Sequence, residues 1–281
     1  MGLIKKKLII AIPARLESSR LPNKVLKNIN GKPMLRRVLD KCSDCKVEAK
    51  VIVCTDSEEI KKSVNEWGYE TKLTSKNCNS GSQRIASVVD ELVLQSWGLK
   101  KDNYQEKILE EILDNTLVIN VQGDQPFIDP ALISKIYENF ISNPEFQVTT
   151  PIYKLNKEDI HNPNVVKTLI SQKGKALYFS RSAIPHVRGV DPSNWYKYYS
   201  YWGHIGIYGY KASVLSKWNS ISASKLELIE SLEQLRLIDS GFTINTFETD
   251  SYSISVDTEE QLQEACTFAS KIENVSWFNL I

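Results

Sequence analysis

The sequence lacks any apolar run near the roughly 18 residues that a bilayer-crossing helix requires, so no membrane insertion is expected. Its basic tip, Met1 to Lys7, is followed by Leu8-Ile9-Ile10-Ala11-Ile12, but Pro13 and Arg15 end that run after five residues. A secretory signal needs roughly 7–15, so the segment reads as a first buried strand behind a solvated tip. An excess of one charge is also missing. Lys plus Arg is 35 and Asp plus Glu is 34, a net charge of +1. No basic field marks a nucleic-acid partner, and any anion site must be local. Histidine is scarce, and His161, His186 and His204 are too dispersed to read as a metal cluster. The five cysteines (Cys42, Cys45, Cys54, Cys78 and Cys266) form an odd, scattered set. That fits a reducing, cytoplasmic setting better than a disulfide framework. Cys42-x-x-Cys45 has no second Cys or His pair to complete a zinc site and reads as structural. There is no Walker GxxxxGKS or GxxxxGKT, no GxGxxG, no internal repeat and no linker rich in Gly, Pro or Ser.

What is present is an ordinary globular balance, 42% hydrophobic and 25% charged, in 281 residues. Large α/β folds reach this length as one domain. The first half alternates strand and helix patterns. Apolar runs at 8–13, 51–54 and 117–121 read as strands, with a shorter strand at 70–73. Helical spacing marks 33–42, 57–67, 82–94 and 131–141, with Asp56 as a cap, Gly68 as a stop and Pro130 in a first turn. This rhythm predicts a mostly parallel sheet with helices on both faces. The second half is more mixed. Strands are expected at 147–153, 165–170, 176–179, 204–210 and 243–249, and helices at 227–239 and 259–272. The polar stretch 96–115 reads as a surface insertion.

Three segments can carry chemistry. The first strand leads into Pro13-Ala14-Arg15-Leu16-Glu17-Ser18-Ser19-Arg20-Leu21-Pro22-Asn23-Lys24. Loops at the carboxyl ends of parallel strands bind ligands in open α/β sheets. Arg15, Arg20 and Lys24 match a triphosphate, with forked donors from Arg and a mobile point charge from Lys. A solvated basic loop is the plainer reading. The strand at 117–121 runs into Gln122-Gly123-Asp124-Gln125-Pro126. Asp124 at its exit is either a Mg²⁺ ligand beside phosphates or an ordinary turn aspartate. In Ser255-Val256-Asp257-Thr258, either Asp257 or Thr258 can cap the last helix, or Asp257 supplies a second metal carboxylate. Spacing alone cannot bring Asp257 to Asp124.

Together these segments resemble the CMP-Kdo synthetases (3-deoxy-manno-octulosonate cytidylyltransferases). The family's PAR-x-x-S-x-RLP-x-K stands here as Pro13-Ala14-Arg15, Ser18 or Ser19, Arg20-Leu21-Pro22 and Lys24. Its QGDEP stands as Gln122-Gly123-Asp124-Gln125-Pro126, and its VDT as Val256-Asp257-Thr258. Between them, Asn162-Pro163-Asn164-Val165-Val166-Lys167 resembles NPN-x-VK, and Ala176-Leu177-Tyr178-Phe179-Ser180-Arg181 resembles ALYFSR. His204-Ile205-Gly206-Ile207-Tyr208-Gly209-Tyr210 resembles H-x-GIYGY, and Leu232-Glu233-Gln234-Leu235-Arg236 resembles LEQLR. The resemblance runs in order from about residue 8 to 270.

It implies a three-layer α/β/α nucleotide-diphospho-sugar transferase fold, with a mostly parallel central sheet and a smaller mixed β portion. The implied organisation is one nucleotidyltransferase domain over 1–281. Its nucleotide half spans about 8–150, its sugar-binding and dimerisation part about 151–250, and its last helix the rest. The implied reaction joins CTP to Kdo, an acidic 2-keto sugar, releasing pyrophosphate and feeding lipopolysaccharide or surface-glycan synthesis. The implied partners are those two substrates, a Mg²⁺ cofactor and a second copy of the chain. By residue, Arg15, Lys24, Asp124 and Asp257 would be catalytic, with Asp124 and Asp257 on Mg²⁺. Pro13, Ala14, Arg15, Arg20, Lys24, Ser80, Gly81, Arg84 and Gln122 would bind the nucleotide. Gln122, Arg181, His204, Tyr208, Glu233 and Gln234 would bind the sugar. Two positions depart from the pattern. Gln83 replaces a Glu of the family's SGTER, and Gln125 replaces the Glu of QGDEP. These leave room for an amino-substituted Kdo or another ulosonic or sialic-type acid. Sialate-type enzymes share the PAR loop but usually lack LEQLR and H-x-GIYGY. A non-catalytic nucleotide-binding protein is the remaining alternative, against which stand Lys24, Asp124 and Asp257 together.

Overall fold

Alternate residues of the first strand face opposite ways, and both faces are covered. In β1 (Lys7–Ala14), Leu8, Ile10 and Ile12 join a core cluster with Val38, Ile60 and Ile133. Ile9 and Ala11 join a second cluster with Ile85, Leu92, Leu113 and Leu215. A strand sends successive side chains to opposite faces, so two apolar faces demand a helical layer on each side. The three-layer α/β/α arrangement follows. The structure is a computed structural model that describes residues 5–18, 20–100, 106–251 and 254–278.

After β1 come the hairpin β2 (Asn28–Ile29) and β3 (Lys32–Pro33), then α1 (Met34–Ser43), β4 (Lys50–Thr55), α2 (Glu58–Glu66) and β5 (Glu70–Leu73). Next are α3 (Gly81–Ala86), α4 (Val89–Ser96), α5 (Glu106–Asp114), β6 (Thr116–Asn120) and α6 (Pro130–Ser142). The second half holds β7 (Val148–Lys154), β8 (Lys167–Ile170), β9 (Ala176–Ser180), β10 (Trp202–His204) and β11 (Tyr208–Lys211). It ends with α7 (Ala212–Ser216), α8 (Lys225–Glu230), α9 (Leu235–Asp239), β12 (Ile244–Glu248) and α10 (Glu259–Phe278).

The sheet order is β5-β4-β1-β6-β11-β7-β10-β8-β9, with β12 also on β7. The run β5-β4-β1-β6 is parallel throughout. Beyond β6 the pairs turn antiparallel, except that β12 lies parallel to β7. The mixed portion therefore continues the same sheet. The chain leaves β1 for β4 and β5, then returns to place β6 on the other side of β1. At such a reversal the loops leaving the two strands diverge and open a crevice at their carboxyl ends. Those loops are 15–24 and 121–129.

Several elements differ from the sequence expectation. The helix expected at 82–94 is two, because Val88 leaves helical angles and the Ser87 hydroxyl binds back to the Arg84 carbonyl at 2.7 Å. The helix expected at 227–239 breaks at Ser231, whose φ of 53° is left-handed. The Arg236 guanidinium spans the break with two bonds to Glu227, at 2.8 and 2.6 Å. The strand expected at 204–210 is β10 and β11, separated by a turn at 205–207 in which Ile207 N–H reaches the Ile205 carbonyl at 2.7 Å. The cap of α2 is Ser57 rather than Asp56. The stretch 96–115 is not all surface. Trp97, Leu99 and Leu109 pack on the core and Leu113 is buried, while 101–105 lie outside the described residues.

Gly209 on β11 fits beneath α6, where a Cβ would come 2.2 Å from Ile136 Cγ2. Gly209→Ala should lower the urea unfolding midpoint, with a loss of about 1–3 kcal/mol, the usual range for overpacking a close-packed interior.

Candidate active site

The crevice is lined by Pro13, Ala14, Arg15, Arg20, Lys24, Ser80, Gly81, Arg84, Gln122, Gly123, Asp124 and Asp257. All nine residues expected to hold a nucleotide are among them. Ser19, one of two readings of the family's serine, lies outside the described residues, and Ser18 lines the crevice.

At its centre one ammonium joins two carboxylates. Lys24 Nζ donates to Asp124 Oδ2 at 2.5 Å and to Asp257 Oδ1 at 2.7 Å. Arg20 reaches the other Asp257 oxygen at 3.0 Å. Burial works against the charge on Lys24, but the two carboxylates outweigh it and hold its pKa above the ordinary lysine value. Burial likewise pushes the Asp257 carboxyl up, and Lys24 and Arg20 outweigh that and hold it below the usual range. Arg15 is exposed and makes no ion pair among the described residues.

The last helix explains how Asp257 comes free. Thr258 Oγ1 accepts from Gln261 N–H at 3.3 Å, so Thr258 is the cap. Gln261 Oε1 reaches back to the Asp257 and Thr258 N–H groups, at 2.7 and 3.2 Å, as in a capping box. Val256 N–H bonds the Asp124 carbonyl at 3.0 Å, which sets the two aspartate loops side by side. Two carboxylates converging on one cation, at the mouth of a basic loop, are the hard oxygen donors that suit Mg²⁺.

The floor of the crevice is the start of α3. Ser80 caps it through Gln83 N–H. A Cβ on Gly81 would lie 2.9 Å from Pro13 Cγ and 3.3 Å from Gln122 Oε1, so only glycine lets these segments close up. Gln83 Oε1 accepts from Asn79 N–H at 2.7 Å, a bond a glutamate would make equally. Arg84 faces the crevice, but its guanidinium is committed to Asp56 Oδ2 at 2.7 Å and Thr74 Oγ1 at 2.6 Å. It braces the loops after β4 and β5.

The expected sugar residues, Gln122 apart, do not line this crevice. They gather beyond the α3 floor and at the edge of the mixed β portion. His204 packs edge-on against Phe179 and tilted against Tyr208, each at 5.2 Å between ring centres. Its Nε2 lies 3.1 Å from Thr150 Oγ1, whose single proton goes to the Ile207 carbonyl at 2.8 Å. Nε2 is therefore the protonated nitrogen. Burial lowers the His204 pKa to about 3. Burial raises the Glu233 carboxyl, opposed by hydrogen bonds from Ser80 and Ser82. Tyr208 Oη, Glu233 Oε2 and Gln234 Nε2 are buried with no hydrogen-bond partner among the described residues. Arg181 Nε and Nη1 bond only carbonyls, of Glu230 at 2.9 Å and Pro163 at 3.2 Å, and the Glu230 carboxylate accepts the Arg181 N–H at 2.9 Å.

Sequence reasoning missed Asn120, Thr150 and Glu230, and read Asp56 only as a helix cap. Asn120 carried a signal, a polar residue inside the apolar run Val118-Ile119-Asn120-Val121. The others act through tertiary contacts that spacing does not reveal.

A family model described as Cytidylyltransferase matches residues 9–248. A 3-deoxy-manno-octulosonate cytidylyltransferase of Porphyromonas gingivalis is 36% identical over 264 residues, covering 92% of this chain and 95% of that one. The chain belongs to the CMP-Kdo synthetase family of cytidylyltransferases. A relative of the same name from Fusobacterium nucleatum is 36% identical over 258 residues, with coverage of 92% and 94%. The structure of a CMP:2-keto-3-deoxy-manno-octonic acid synthetase complexed with CTP superposes with a TM-score of 0.79 at 32% identity, covering 94% of this chain and 99% of that one. A putative glucose-1-phosphate thymidylyltransferase from Bacillus anthracis, at 17% identity and a TM-score of 0.61, shares the fold.

The His204 pKa sets a pH dependence. An unfolded histidine titrates near 6.5. The folded value is about 3, so the unfolded chain takes up the proton first as pH falls. Stability is fully present above 6.5 and is lost from there down towards 3. Relative to His204→Gln, the wild type should lose on the order of 1–2 kcal/mol between pH 7 and pH 5. Urea unfolding at the two pH values measures it.

Proposed function

We propose that the chain joins CTP to Kdo, giving CMP-Kdo and pyrophosphate. The meeting of Lys24, Asp124 and Asp257 carries the reading, since three distant segments converge there on a crevice with Arg15 and Arg20 at its rim. Arg15, Arg20 and Lys24 hold the triphosphate. Lys24, on its flexible stem, leaves the carboxylates for phosphate oxygens when the nucleotide enters. Asp124 and Asp257 would then be the residues to hold Mg²⁺, which when bound would supply neutralisation of charge on the phosphoryl oxygens. The Gly81 backbone, Ser80, Pro13 and Ala14 form the wall against which the cytidine lies. The sugar hydroxyl beside the carboxylate attacks the α-phosphorus, and the bond to pyrophosphate breaks. Positioning and charge do most of this work.

Arg181 offers its guanidinium to the sugar carboxylate, a pairing that can be bidentate. Tyr208, Glu233 and Gln234 take the sugar hydroxyls. An unpartnered buried polar group costs about 1–3 kcal/mol, and a polyol would satisfy all three. One observation favours an amino-substituted acid as second reading. Gln125 is 5% exposed with Oε1 unpartnered, and its amide nitrogen lies 3.6 Å from where a Gly206 side chain would begin, on the turn joining His204 to Tyr208. A carbonyl there accepts from an amine.

Assembly as a homodimer is part of the proposal. Leu228 and Ile229 on α8 are 68% and 82% exposed, and Leu177 on β9 is 52% exposed. Ile229→Glu should turn a sedimenting dimer into a monomer. A wild type that sediments as a monomer removes the dimer.

Pyrophosphate release from CTP and Mg²⁺ tests the reaction, with Kdo, amino-Kdo and N-acetylneuraminate in parallel. Turnover with Kdo is expected. Turnover only with amino-Kdo transfers the assignment to the second reading, and none with any acid overturns both. Asp124→Asn should lower turnover by about 10²–10³-fold, the scale for losing one electrostatic partner of the reacting group, in a chain whose circular dichroism shows it folded at the assay temperature.

A further inference from the structure

The crevice and the buried cluster around Glu233 are joined through two buried polar side chains, Asn120 and Ser82, to which the proposed reaction gives no role. Asn120 and Ser82 are both 0% exposed. Ser82 Oγ lies 2.8 Å from Glu233 Oε1, 3.2 Å from Tyr210 Oη and 3.2 Å from Asn120 Nδ2. A hydroxyl has one proton and two lone pairs. The proton goes to the glutamate, and the lone pairs accept from Tyr210 and Asn120, so every capacity of Ser82 is filled. Asn120 Oδ1 in turn accepts from Gln122 Nε2 at 3.0 Å. The Gln122 side chain lies against Gly81 at the crevice floor. A continuous run Gln122–Asn120–Ser82–Glu233 therefore leads from the nucleotide crevice to the cluster of unpartnered polar atoms.

We infer that Ser82 and Asn120 are positioning residues, a relay that sets the orientation of Glu233 according to whether the crevice holds a nucleotide. The inference rests on the reading of the crevice as the CTP site. The interior around the relay is close-packed, so a shift of Gln122 cannot be absorbed locally and passes to its partners. Each hydrogen bond also polarises the next in a low-dielectric interior. Ser82 is the branch point of this run, and its loss disconnects Glu233 from Asn120 while leaving the crevice lining in place, with the Ser80 hydroxyl as the remaining contact between that lining and Glu233. The family's SGTER places a threonine hydroxyl at this position, so Ser82→Thr keeps the relay.

The test uses full-length protein labelled with ¹³C at the glutamate carboxyls. The Glu233 resonance is assigned by its loss in Glu233→Gln, and CTP is added without sugar. In the wild type and in Ser82→Thr, the Glu233 resonance should move as CTP saturates. In Ser82→Ala it should move less than half as far, only the Ser80 contact remaining, while the calorimetric Kd for CTP stays within about threefold. In the same variant kcat/KM for the acid sugar should fall about tenfold, and Ser82→Thr should restore it. A Glu233 resonance that moves equally in Ser82→Ala, or that ignores CTP in the wild type, overturns the relay. A wild type that shows the shift but turns over no acid sugar keeps the relay and overturns the reaction. Normal turnover with an unchanged shift in Ser82→Ala does the reverse.

Discussion

One ammonium holds two carboxylates that would otherwise repel each other across a half-buried crevice. Lys24 joins Asp124 and Asp257 across sequence separations of 100 and 233 residues. Much of the molecule serves to bring these three together. The reversal of strand order beside β1 opens the crevice. The Val256–Asp124 backbone bond aligns two loops, and the capping of α10 by Thr258 leaves Asp257 unengaged. The α10 helix is anchored in turn through Leu262, Ala265 and Ala269, which pack on Leu21, Ile29 and Met34 around the basic loop. The apolar contacts supply the placement, and the charged triad exploits it. Charge-assisted bonds are about twice as strong as neutral ones, which keeps this half-buried cluster ordered.

A second theme is the use of polar groups where a stable core would have none. The interior of β6 holds Asn120, and the turn between α8 and α9 buries Glu233 and Gln234. Real proteins break the rules of stable packing at functional sites and compensate elsewhere. Here the compensation is the aromatic stack from Phe179 through His204, Tyr208 and Tyr210 to Trp218, which surrounds these groups with apolar surface.

How much of this was legible depends on the range of the forces involved. The alternation on β1 and the helices α1, α2 and α6 could be read from periodicity, because burial on one face imposes it. The crevice loops could be read from charge and position after a strand. The breaks at Val88, at Ser231 and at 205–207 could not. Each local sequence is compatible with continuing the element, and the Ser87 hydroxyl bonded back to Arg84, the Arg236–Glu227 pair and the Thr150 bond to Ile207 decide otherwise. The role of Asp56 was misread for a related reason. Two adjacent residues could each cap α2, and only the buried guanidinium of Arg84, distant in sequence, claims Asp56. Thr258 and Asp257 posed the same choice, and there the capping residue left its neighbour to the site.

The separation between Lys24 and Asp257 also orders events during synthesis. A chain still on the ribosome presents the basic loop first, Asp124 100 residues after Lys24, and Asp257 last of the three. Until then the crevice holds one carboxylate, and α10 is absent from the loop it braces. The three charged groups can therefore meet only after α10 has been made and has packed on Leu21, Ile29 and Met34.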